Sequence, residues 1–196
     1  SRMPDDLRWR STVHLCGPGY WVWLIALASG HTSVGIVCDP SLPDPQADPV
    51  GWLREREPEL AGELAREPAL QARSRTVHAW RAPAILGERI ALTGDAAGFL
   101  DPLYSGAIDH LALTNELIVH ALRADLGDGN ATRGARLSRY ANVVHQRILG
   151  QFQPLYTGLY DRGGGTGILG DPRVMSAKVA WDNCLYFSTI ALWWRS

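Results

Sequence analysis

Gly94-Asp95 is the dipeptide in this chain best placed to do chemistry, within the run Thr93-Gly94-Asp95-Ala96-Ala97-Gly98. A glycine lets backbone come close to a ligand. The carboxylate that follows can accept hydrogen bonds from sugar hydroxyls. Ala96, Ala97 and Gly98 keep the neighbouring wall small. Asp101-Pro102 then turns the chain, and Ser105-Gly106-Ala107 leads into a helix whose first amides have no helical partner. That end carries partial positive charge and suits an electron-rich edge or a small anion. A lone Gly-Asp pair is common, and a plain strand-to-helix turn with a capping serine uses the same residues.

Other residues compete for attention. Trp21 and Trp23 alternate on one strand and so share a face of their sheet; two core tryptophans read the same way. His110 and His120 lack the i, i+4 spacing of a helical metal pair, so core or surface histidines are the expectation. His14 and His78 fall on strands, where they can line a pocket. Asp109 is expected to cap the helix. Gly165 to Gly170 spells a literal GxGxxG, but no strand precedes it and Asp171-Pro172 follows where a helix is needed, so it reads as a loop. No metal site is expected. The cysteines, Cys16, Cys38 and Cys184, are odd in number and scattered, which fits burial in a reduced, cytoplasmic setting. In that setting the Asn130-Ala131-Thr132 sequon has no meaning.

The elements that must position these residues follow from periodicity and breakers. Thr12 to Cys16, Tyr20 to Leu27 and Thr32 to Cys38 read as an antiparallel meander, with turns at Gly17-Pro18-Gly19 and Ser29-Gly30-His31. Two short helices follow, Asp48 to Arg56 and Glu59 to Arg66, the second opened by Pro58. The charge run from Arg54 to Arg66 is a solvated face. Arg73 to Arg81 and Arg89 to Thr93 read as strands. Ala107 to Ala124 is a helix with two apolar stripes, Ile108/Leu111/Ala112/Ile118/Val119/Leu122 and Leu113/Leu117/Ala121, which predicts burial on most sides. Gly127-Asp128-Gly129 breaks it. Asn130 caps a second long helix with the stripe Leu137, Tyr140, Ala141, Val144 and Ile148. Further helix is expected from Asp171 onward.

The bulk numbers set limits. Of 196 residues, 46% are hydrophobic and 20% charged, ordinary for a globular protein, and the net charge is -1. That balance argues against nucleic acid or an anionic membrane surface as partner. The apolar runs at Tyr20 to Ala28 and Tyr186 to Trp194 fall short of the roughly 20 residues of a membrane helix. A polar opening and an apolar last few residues give the expectation of a fragment, without a signal peptide. Eight tryptophans point to a large aromatic core or a site for a flat ligand.

Gly94 to Ser105, continued by Ile108-Asp109 and Ala112-Leu113-Thr114-Asn115-Glu116, resembles the second FAD motif of the flavin-dependent halogenases, often described as tryptophan halogenases. These share their cofactor fold with aromatic hydroxylases and geranylgeranyl reductases. Gly19-Tyr20-Trp21-Val22-Trp23-Leu24-Ile25-Ala26 resembles the family's WxWxIP motif. Gly170 to Met175, Ala177-Lys178-Val179 and Trp181-Asp182 resemble its tail. Three positions depart: Ala26 replaces the motif's proline, Gly106-Ala107 stands where relatives carry Pro-Gly or Thr-Gly, and Tyr104 stands where the free-tryptophan branch has a catalytic glutamate. Lys178, the only lysine, lies in the tail and not at the family's active-site lysine.

The resemblance implies a mixed α/β chain forming the C-terminal part of an FAD-binding fold. Its expected regions are a substrate-side β-sheet with short helices at 1–88, the FAD-motif strand, loop and helix at 89–128, and C-terminal helices at 129–196. It implies FAD contacts at Gly94, Asp95, Ala97, Gly98, Pro102, Ser105, Gly106 and Ala107. The amides of Gly106 and Ala107 would hold a halide, a site the alanine at 107 makes less accommodating because it tolerates fewer backbone angles. Trp21 and Trp23 would shield the flavin. The implied activity is halogenation of an aromatic or related small molecule, of the kind found in antibiotic biosynthesis, with a flavin reductase supplying reduced FAD. Hydroxylation and double-bond reduction use the same scaffold, and a truncated, non-catalytic product is the reading from outside enzymology.

Overall fold

The computed structural model describes residues 11–66, 73, 76–127, 131–160 and 167–193. The expected cap Asn130, the Asp128-Gly129 break and Gly165-Thr166 of the GxGxxG loop lie outside them. The described chain is mixed α/β with antiparallel sheets. It divides into two compact units, residues 1–74 with 158–196, and residues 75–157.

The first unit is built on a three-stranded meander: β1 (Thr12–Gly17), β2 (Tyr20–Ala26) and β3 (Thr32–Cys38). Gly19 and Gly30, at φ +75° and +82°, make its turns in the left-handed region where glycine has no steric penalty. Tyr20, Val22 and Leu24 alternate onto one face and meet helices α1 (Pro49–Arg56) and α2 (Pro58–Leu64) through Trp52, Leu53 and Ala61. Asp48 caps α1 by accepting from the Gly51 amide at 2.8 Å, and Pro49 and Pro58 each open a helix. The unit also holds helix α5 (Pro172–Trp193), where Lys178 and Asp182 pair at 2.7 Å.

The second unit packs helix α3 (Ala107–Leu122) on helix α4 (Ala131–Phe152). The expected strand at Arg73 to Arg81 shortens to β4 (Trp80–Arg81), paired with β5 (Gly98–Phe99). The expected strand at Arg89 to Thr93 is a single bridge, Leu86 with Ala91. One reason is a side chain: Asn142 of α4 accepts from the Ile85 and Leu86 amides at 2.8 and 2.9 Å and donates to the Leu86 carbonyl at 2.9 Å. Backbone groups satisfied by an asparagine have no need of a ladder.

Helix α3 also departs from expectation. Its buried face is His110, Thr114, Ile118 and Ala121, turned to α4, while Ile108, Leu111, Val119 and Leu122 are exposed. The more apolar stripe is the uncovered one. On α4, Ala141, Val144 and Ile148 are buried as their spacing predicts, but Tyr140 is exposed.

Candidate functional site

Gly94 to Ala96 forms a single 3-10 turn entered from extended chain at Thr93. Gly94 has φ +57°, a conformation that favours glycine. Thr93 Oγ1 donates to Asn115 Oδ1 at 2.6 Å and lies 3.2 Å from Thr114 Oγ1, which ties the turn to α3. Asp95 is exposed and borders a shallow groove of about 330 Å³ with Val77, His78, Trp80 and Phe99. An exposed carboxylate beside flat aromatic walls suits a polyhydroxylated ligand with a planar ring.

Ala97 and Gly98 turn inward. Ala97 is fully buried in the core with Ile85, Leu86 and Ile118. A Cβ on Gly98 would come within 2.6 Å of Leu149 Cδ1 and 3.2 Å of the Trp80 carbonyl. Both residues therefore fill the interior behind the turn and reach its surface only through backbone.

The loop into α3 holds a local strain. Asp101 Oδ1 accepts from the Leu103 amide at 2.9 Å, Pro102 starts a short 3-10 turn, and Tyr156 donates to the Leu103 carbonyl at 3.3 Å. Tyr104 and Ser105 then take positive φ, 70° and 56°, where side chains are disfavoured. Gly106 returns to φ -60° and Ala107 begins the helix. The unusual angles expected at Gly106 and Ala107 thus fall two residues earlier, so the alanine at 107 meets no conformational obstacle. The Ser105 amide donates to the Pro102 carbonyl at 3.1 Å, and Gly106 and Ala107 stand at the start of α3, where the first amides of a helix have no helical partner. No side chain caps α3; Asp109 sits inside its first turn, where its charge suits the helix dipole, and is not the cap.

Trp21 and Trp23 do share a sheet face, ring centroids 5.6 Å apart. Trp21 is fully buried, with His14 edge-on at 5.1 Å and its Nε1 donating to Tyr160 Oη at 2.8 Å. Trp23 is half-buried, donates to Ser33 Oγ at 3.2 Å, and lies over Gly35, its partner across the sheet. Burial lowers the His14 pKa and raises those of the Cys16 and Cys38 thiols, with Glu57 adding to the rise at Cys16 and Asp44 to that at Cys38.

Nothing in the sequence marks His145, Asn142 or Gln146 as functional. His110 and His145 are buried and lie 3.1 Å apart, Nε2 to Nδ1. Burial, then the charge of His145, lowers His110 to about 4. Burial also lowers His145, with Arg81 adding to it and the Ala82 carbonyl opposing it. His120 is exposed and paired with Glu116 at 2.9 Å. Polar residues on a helix carry no periodic signal of burial, so only the partner helix identifies the inner ones. Among the described residues no group of three or more His, Cys, Asp or Glu could hold a metal ion, and no helix is long and apolar enough to cross a membrane.

No family model matches the chain. It is 30% identical over 143 residues to flavin-dependent halogenase armH3 of Armillaria mellea, a match covering 63% of this chain and 28% of that protein. It is 25% identical over 199 residues to flavin-dependent halogenase chlA of Dictyostelium discoideum, covering 91% of this chain and 30% of that one. Among solved structures, a variant of halogenase PltM in complex with FAD superposes with TM-score 0.57 at 20% identity, over 82% of this chain and 34% of the other. The chain therefore shares the fold of one part of a flavoprotein. It spans under a third of the length of these curated relatives.

Proposed function

We propose that this chain is the C-terminal part of an FAD-dependent, halogenase-like oxidoreductase acting on an aromatic or related small molecule. The observation that carries the reading is the Gly94 turn, a left-handed glycine presenting an exposed Asp95 at an aromatic-walled groove. FAD, when bound, supplies the redox chemistry with oxygen, and a separate flavin reductase supplies its electrons. In this reading Asp95 accepts hydrogen bonds from a sugar-chain hydroxyl of the cofactor. Gly94, Pro102 and Ser105 shape the backbone beside it, and Ala97 and Gly98 support it from behind. The amides of Gly106 and Ala107 hold an electron-rich edge or a halide ion at the positive end of α3.

The test uses the longest natural reading frame that contains this chain. Asp95→Ala is expected to weaken FAD retention; equally yellow protein would defeat the role given to Asp95. Incubation with reduced flavin, oxygen and bromide is expected to brominate members of an indole and phenol panel. Oxygenated products in place of brominated ones would select hydroxylation on the same scaffold.

A further inference from the structure

His110 and His145 form a buried pair that the proposed function does not use. His110 is in the first turns of α3 and His145 is in α4; they are 4% and 0% exposed. His145 Nε2 lies 3.0 Å from the carbonyl oxygen of Ala82. A carbonyl only accepts, so that nitrogen carries the proton of the neutral ring. Nδ1 of His145 is then bare, and it faces His110 Nε2 at 3.1 Å. His110 must therefore carry its own proton on Nε2. The hydrogen bonds run one way, from His110 to His145 to Ala82.

The chain continues through backbone. The Ala82 amide donates to the Ala97 carbonyl at 2.9 Å, and the Ala97 amide donates to the Gly94 carbonyl at 2.9 Å. Thr114 Oγ1 donates to the His110 carbonyl at 2.8 Å, and Gln146 Nε2 shares the Ala82 carbonyl with His145. Interruption at either imidazole leaves a buried polar group without its partner. The charges that act on the pair are few: Arg81 of β4 on His145, and His145 on His110. An added proton has one place that spares the chain, Nδ1 of His110. On Nδ1 of His145 it would set two N–H groups against each other.

We propose that His110 and His145 are positioning residues, a neutral relay locked in one tautomer that fixes Ala82, and through it the Gly94–Ala97 turn, against α3 and α4. The consequence that Asp95 is held ready for a ligand rests on the flavin reading; the relay itself does not.

The test is nitrogen-15 NMR of the full chain. Both imidazoles are expected as the Nε2–H tautomer at neutral pH. His110→Leu and His145→Phe are expected to speed exchange of the Ala82 and Ala97 amides about tenfold relative to amides at Ile118 to Leu122. His110→Gln, whose Nε2 can still donate to His145, is expected to restore protection. An Nδ1–H tautomer or a cation on either ring at neutral pH would overturn the proposal. So would unchanged Ala82 and Ala97 exchange in His110→Leu, or exchange in His110→Gln as fast as in His110→Leu. If His145→Phe does not fold, the native tautomers and the two His110 variants decide between these outcomes. None of these measurements uses a flavin, so loss of the FAD reading and loss of the relay are separate results.

Discussion

Gly94 and Gly98 are glycine for different reasons. At Gly94 an added Cβ would meet only Leu111 Cδ1, at an ordinary 3.5 Å, so the cost of a side chain is the left-handed backbone itself. Gly94→Ala is expected to destabilise the second unit by about 1–2 kcal/mol, read from urea unfolding. At Gly98 the backbone is strand and the obstacle is steric, with Leu149 and the Trp80 carbonyl in the way. Gly98→Ala is expected to cost about 1–3 kcal/mol by overpacking. Leu149→Ala is expected to recover part of the Gly98→Ala loss but none of the Gly94→Ala loss. Gly35 is a third case, cleared for the indole of Trp23 across the sheet.

At the scale of elements, the second unit is held by side chains of α4 reaching backbone. Asn142 satisfies two amides and a carbonyl of the Ile85–Leu86 segment. Asn142→Ala strands those groups, and an expected loss of about 2–4 kcal/mol would show as a lower denaturation midpoint with unchanged slope. Loss of less than about 1 kcal/mol would mean that water replaces the amide without penalty. The α3–α4 contact also titrates. Unfolded histidine has its ordinary value near 6.5, whereas folded His110 is lowered to about 4 and His145 is lowered as well. Between those pH values the unfolded chain binds protons that the folded chain does not. Stability is therefore full above about pH 6.5 and falls as the pH drops toward 4. In His110→Gln the fall across that window should shrink; an identical pH profile would place its source elsewhere.

At the scale of the molecule, a net charge of -1 spread over 19 basic and 20 acidic residues gives no long-range pull on polyanions. Titration with duplex DNA or anionic vesicles at about 0.15 M salt is expected to give no saturable binding. The apolar side of α3, with Ile108 at 69% and Leu126 just beyond the helix at 77% exposure, is a contrasting feature of the same chain. It explains why spacing misjudged this helix: periodicity identifies an apolar stripe, but not whether anything covers it.

Turn residues, caps and alternation are local, and sequence alone determined what depends on them: the β1–β3 meander, the proline-opened helices α1 and α2, the two long helices, and the Gly94-Asp95 turn. It also put Trp21 and Trp23 on one face, because alternation is a property of the strand itself. Long-range partners decided the rest. The Ile85 and Leu86 amides, beside the single Leu86–Ala91 bridge, found their acceptor in Asn142, more than fifty residues away in sequence. Whether Ala97 and Gly98 faced a ligand or the core depended on Leu149 and the Ile85 cluster. His110 took its part in the fold from His145 and Ala82, since a buried imidazole is defined by the groups that receive its protons, and tertiary packing brings those groups together.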